Sequence, residues 1–237
     1  MLFGEDFPKI DFHPFGLDLV EPNAMLGDLI IAVVSWYFAY RVNKMPSTLF
    51  FRYWKYFFIL FGVSFIFGGL GHLCFNYWGV PGKYTAWLLG IISPYFVERA
   101  MLSLFSNEKW KKILIRISQV KLVLAFTGTV AVFMFVDLDI DPGKGLRTST
   151  ANTAIGLLFA LGYLGMRYAK TITPGFKYFW ISVLVLLPTA FFQSMKINIS
   201  QYFDRNDASH VFLILGLILY YFGIKKYANW LKRTNGG

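Results

Sequence analysis

Apolar residues in this chain come in long, nearly unbroken runs closed by charge, proline and glycine, without the alternation of a half-buried strand. The pattern predicts helices over 23–42, 50–77, 84–105, 113–137, 149–169, 174–198 and 205–231. Each run reaches the roughly 20 residues that a helix needs to cross a bilayer, and tilt absorbs any excess length. The expected fold is all-α: a polytopic membrane protein of seven transmembrane helices. It forms one domain over 1–237, with 1–22 as an extracytoplasmic N-terminal segment. Pro94 and Pro188 fall inside the third and sixth runs, where each removes a backbone donor and kinks the helix. Glycines gather in the second run (Gly62, Gly68, Gly69, Gly71) and the fifth (Gly156, Gly162, Gly165), where small side chains let helices approach closely.

Composition fits a chain whose main solvent is lipid: 56% of residues are hydrophobic and 20% aromatic, with mean hydropathy +0.51. The net charge of +10 does not indicate nucleic acid, because the cations collect at particular helix ends instead of forming a continuous basic face. Of 23 lysines and arginines, only Lys9, Lys83, Lys144, Arg147, Lys196 and Arg205 fall on one side of the alternating loops, together with every acid except Glu98 and Glu108. The positive-inside rule then places the N-terminus outside and the C-terminus in the cytoplasm of a plasma membrane, or of the inner membrane in a bacterium. Trp54 and Tyr56 at one end of the second run, and Tyr77 and Trp78 at the other, read as interfacial aromatics. The acidic start, with Glu5, Asp6, Asp11, Asp18 and Glu21 against one Lys9, is the opposite of a signal peptide and is expected to lie on the outer surface, partly capping the bundle. Cys74 is the single cysteine, which excludes an internal disulfide and a cysteine-rich zinc module.

Ionisable groups inside a membrane helix are costly, so their grouping is informative. His72 lies six residues before Trp78 and His210 six residues after Asp204, which puts both about 9 Å below the outer helix ends. On the same helical faces stand Asn76, one turn beyond His72, and Asn206 and Asp207, four and three residues before His210. Asp28 in the first run and Asp137 at the end of the fourth complete a plausible ring, joined by Gln193 and Ser194 from the sixth. Histidines and carboxylates converging in a low-dielectric pocket suit a zinc ion that keeps one position open for water, with Asp137 as a candidate acid or base. The structural alternative is equally open: the histidines hydrogen-bond neighbouring helices, Asn206 and Asp207 cap the seventh helix, and Asp28 pairs locally.

Other readings are weaker. Asp137, Asp139 and Asp141 alternate like the start of a calcium loop, but Pro142 and Thr148 occupy positions where an EF-hand needs Gly and Glu, so calcium is the less favoured cation. A haem between the two histidines fits their depth. Retinal needs a lysine deep in the last helix, whereas Lys225 and Lys226 lie at its end. Asn198-Ile199-Ser200 has the form of a glycosylation acceptor.

The stretches FGGLGHLCFN (67–76) and NDASHVF (206–212), with the acidic approach to the first helix at Glu21 to Asp28, resemble the superfamily of alkaline ceramidases and progestin and adiponectin receptors. The resemblance implies a seven-helix bundle in which a second-helix histidine and a seventh-helix histidine pair bind zinc for hydrolysis of a lipid amide or ester. Here Asn206 stands in place of one histidine of that pair, residue 214 is Ile, Gly68 occupies a usual serine position, and no acid lies between Gly79 and Val97. Two functions follow as expectations. One is a zinc-dependent membrane hydrolase with His72, His210 and Asp207 as metal ligands and a lipid substrate. The other is a non-catalytic lipid-binding, receptor-like or complex-assembly protein with partner membrane subunits.

Overall fold

The computed structural model describes residues 1–235. Among them are seven long helices, numbered here in chain order: Pro22–Asn43, Leu49–Leu73, Tyr84–Ser103, Glu108–Phe135, Gly143–Thr171, Pro174–Ser194 and Arg205–Asn235. All but the third are long and apolar enough to cross a membrane. The third, interrupted by Pro94, Glu98 and Arg99, does not reach that apolarity.

Helix ends follow local chemistry more than hydropathy. The fourth starts at Glu108, earlier than its apolar run, because the Asn107 side chain accepts from the Trp110 amide and caps it. The second stops at Leu73 instead of 77; Cys74 breaks it, a short turn over Phe75–Trp78 follows, and Gly79 takes a positive φ of 55°. Asn76 thereby leaves the face of His72 and is exposed. The sixth ends at Ser194, and the chain beyond it forms a short strand, Ile197–Asn198.

The first, second, third, fifth, sixth and seventh helices pack in a closed ring, each against the next and the seventh against the first. The fourth lies against the third and fifth with most of its surface exposed. At the end of the bundle where the first and second helices join, the interior is aromatic. Trp54 stacks on Phe179 with ring centroids 5.3 Å apart, and Phe50, Phe176, Tyr220 and Tyr227 surround them. Trp54 is 0% exposed and so is not an interfacial residue. The second helix is apolar on every face, and only its neighbours determine which aromatics turn inward.

At the opposite end the N-terminal segment straps the bundle. Strand β1 (Leu2–Phe3) pairs antiparallel with β4 (Ile197–Asn198), and β2 (Asp11–Phe12) pairs with β3 (Leu19–Val20). Asn198 is buried in this strap: its amide donates to the Glu5 carbonyl at 2.7 Å and its carbonyl accepts from the Arg205 amide at 2.9 Å. A side chain so engaged cannot serve as the glycan acceptor its motif suggests.

Candidate functional site

The strap delivers Glu21 to the top of the first helix. Glu21 sits in the left-handed region (φ 54°, ψ 50°), which costs a non-glycine residue about 1 kcal/mol or more. That conformation places its carboxylate on the second helix, where the His72 Nδ1–H donates to Oε2 at 2.9 Å. Lys9 stands 3.4 Å from the same oxygen, and its ammonium lies 3.4 Å from the centroid of the Phe75 ring. Lys83 comes within 3.5 Å of His72 Nδ1. That nitrogen has no lone pair to offer while it donates to Glu21, so Lys83 acts there as a neighbouring charge. Burial alone would raise the Glu21 pKa, but the His72 hydrogen bond and the charges of His72, Lys9 and Lys83 overcome it and hold the carboxyl at about 2. Burial lowers the pKa of the Lys83 ammonium, against the pull of Glu21.

A second dyad lies about two turns deeper. Asp28, seven residues after Glu21, is 4% exposed and accepts from His210 Nε2–H at 3.0 Å. Its carboxylate packs along the backbone at Gly68 and Gly69, one turn below His72. His210 is 9% exposed, with the Phe65 ring 6.1 Å away by centroid. A methyl at Gly27 would lie 2.2 Å from His210 Nδ1, so only glycine lets the ring in. That Nδ1 is buried without a hydrogen-bond partner.

Asp207, Asn206 and Gln193 have local duties. Asp204 caps the seventh helix through the amides of Asn206 (2.6 Å) and Asp207 (3.1 Å), and Asp207 accepts in return from the Asp204 amide at 3.0 Å, a capping box. Gln193 ties the sixth helix to the seventh through Asn206 Oδ1 at 3.1 Å and Ser209 Oγ at 3.0 Å. Ser194 is exposed and bonds only its own helix. Asp137 is also exposed and caps a turn through the Asp139 amide at 3.0 Å, on the connection leaving the peripheral fourth helix. It does not join the histidines.

His72, His210 and Asp207 therefore do not form the expected metal-ligand set. Each histidine is committed to its own carboxylate, at different depths, and Asp207 is used in helix capping. Among the described residues no three His, Cys, Asp or Glu side chains converge as a metal site requires. Spacing put both histidines in one layer, but the second helix stops at Leu73 and leaves His72 at its end, and rotation about each helix axis assigned the partners.

Beside the deeper dyad a groove of about 490 Å³ opens between the first and seventh helices. Leu26, Ile30, Val211 and Ile214 form its apolar walls, and Asn23, Asp207 and His210 its polar end.

A second polar centre lies among the third, fourth and fifth helices. Lys121 is 13 residues into the fourth helix, about 20 Å from its start. Its ammonium meets Glu98 Oε1 at 2.7 Å, Asn152 Oδ1 at 2.8 Å and the Asn152 carbonyl at 3.1 Å, one acceptor for each N–H. Ser118 donates to the other Glu98 oxygen, and a methyl at Gly156 would lie 2.3 Å from Oε1. Pro94 removes the amide that would bond the Gly90 carbonyl, which Thr153 of the fifth helix meets at 3.5 Å, while Ser149 donates to Trp87 O at 3.4 Å and Asn152 to Ile91 O at 3.2 Å. Directly after this contact the fifth helix widens into a π-helical turn, Leu158–Tyr163. Reading Glu98 and Lys121 as residues of the basic helix ends missed this centre; their positions inside apolar runs were the available signal.

A closed ring of helices, six of the seven long ones apolar enough to span, enclosing paired charges that water could not reach in lipid, defines an all-helical, multi-pass integral membrane protein. The chain belongs to a family of unknown function, DUF6962, whose model matches residues 24–229. No curated protein and no solved structure matches it.

Proposed function

We propose that this protein binds a membrane lipid in the groove between the first and seventh helices, as a non-catalytic receptor-like or assembly component. In this reading all seven helices span the bilayer with the N-terminus outside, as the distribution of basic residues favours. One observation carries it: His210, at the polar end of an apolar groove, donates from Nε2 to Asp28 and retains an unpartnered, buried Nδ1. Such a nitrogen accepts from a hydroxyl or amide N–H once the ring moves off Gly27, against which it now packs, so the ligand it would select is a lipid with a donor in its headgroup. The divided histidines favour binding over the metal-dependent hydrolysis that the superfamily resemblance implies.

The test is photo-crosslinking of reconstituted protein with a diacylglycerol carrying a diazirine in one acyl chain, and with its headgroup methyl ether. Adducts are expected on residues 22–30 and 202–214, falling several-fold with Leu26→Trp, and His210→Phe should abolish the preference for the free hydroxyl. Adducts spread over all helices and indifferent to both substitutions would refute the groove. Release of fatty acid from lipid esters or amides, lost in His210→Ala, would replace binding by hydrolysis.

A further inference from the structure

The turn between the first and second helices encloses a second cavity, about 230 Å³, at the end of the bundle opposite the strap. Its wall is mostly polar, with Asn43, Ser47, Thr48, Arg52, Lys55 and Tyr56 around it. Two cations line one small cavity, and among the described residues neither makes an ion pair. Lys55 has a neutral partner, Asn43 Oδ1 at 3.2 Å, and Arg52 is exposed. The Thr48 hydroxyl makes no capping bond to the second helix and is free to donate. Two unpaired cations and hydroxyl donors in one cavity form a receptor for a tetrahedral oxyanion.

The surroundings select the source of that anion. The first helix ends at Asn43 and the second begins at Leu49, so the cavity lies where the helices leave the apolar layer, the level of phospholipid phosphates. Arg52, Tyr56 and Ile59 follow at i, i+4 and i+7 on one stripe, with Tyr56 39% and Ile59 40% exposed. An anion held at Arg52 therefore continues into an open apolar track toward the bilayer centre, which a free phosphate would not use. We propose that this cavity is a specific site for an anionic phospholipid. Arg52 and Lys55 bind the phosphate, Ser47 and Thr48 donate to it, and an acyl chain lies along Tyr56 and Ile59.

Native mass spectrometry of the detergent-purified full chain, titrated with phosphatidylglycerol, phosphatidylcholine or inorganic phosphate, tests this. One phosphatidylglycerol should bind at concentrations where phosphatidylcholine does not, and Arg52→Gln with Lys55→Gln should weaken it at least about tenfold. Lys109→Gln with Lys112→Gln, exposed cations at the same end, should leave it unchanged. Equal weakening in both double variants, or equal binding of phosphatidylcholine, would overturn the site as ordinary surface charge. Displacement of the lipid by equimolar inorganic phosphate would overturn the lipid as its ligand. Should the first double variant fail to fold, Arg52→Gln alone, at an exposed position, decides the same comparison.

Discussion

Glu21 shows how much one residue can hold at the rim of this bundle. Its left-handed backbone and its buried carboxylate both cost free energy, and the His72 hydrogen bond with the neighbouring Lys9 and Lys83 charges offsets that cost. Its folded pKa near 2 lies below the usual value of 4.5, so its contribution is complete above pH 4.5 and is lost as pH falls toward 2. Glu21→Gln should therefore destabilise the protein at neutral pH by on the order of 3 kcal/mol, and the gap in thermal midpoint between variant and wild type should narrow below pH 4.5 and close only as pH falls to about 2. A gap independent of pH would show that the carboxylate charge is not what matters. The sequence revealed the acidic approach to the first helix, but it put both histidines in one layer, whereas the second helix ends at Leu73 and leaves His72 at its rim above the His210 dyad. It did not reveal that Glu21 reaches His72 while Asp28 reaches His210, since partners are set by side-chain direction across helices.

Among the elements, the fourth helix packs on the third and fifth and leaves most of its surface exposed, and its polar attachment is the cluster of Ser118 and Lys121 with Glu98 and Asn152. Removing one charge leaves the other buried and unpaired, at about 3–5 kcal/mol, whereas removing both costs far less than the sum. Glu98→Gln, Lys121→Met and the double variant, compared by reversible unfolding in mixed micelles, should give such strong coupling; additive effects would mean the pair contributes no more than packing. Pro94 looked like a packing feature by sequence, yet it lies at this contact: the Gly90 carbonyl it frees meets Thr153, while Ser149 and Asn152, on the same face of the fifth helix, meet Trp87 O and Ile91 O. The spacing of those three residues is visible in the chain, but the carbonyls they serve belong to another helix.

At the scale of the whole molecule the two polar centres sit apart: the dyads among the first, second and seventh helices of the ring closed by contact of the seventh helix with the first, and the Lys121 cluster where the fourth helix docks on the third and fifth. The proposed topology is tested by impermeant maleimide on intact cells in a Cys74→Ser background. Ile140→Cys should label from outside and Ser47→Cys only after permeabilisation; the reverse pattern would invert the orientation. The amino-acid sequence by itself determined the all-helical, membrane-embedded class and most helix positions to within several residues, because the cost of exposing backbone and charge to lipid acts on each segment independently. Only the tertiary structure decided which charges meet, that Trp54 is core and not interface, and that a groove lies beside His210. Those outcomes depend on the rotation and packing of helices that are apolar on nearly every side, and a hydropathy pattern leaves that rotation undetermined.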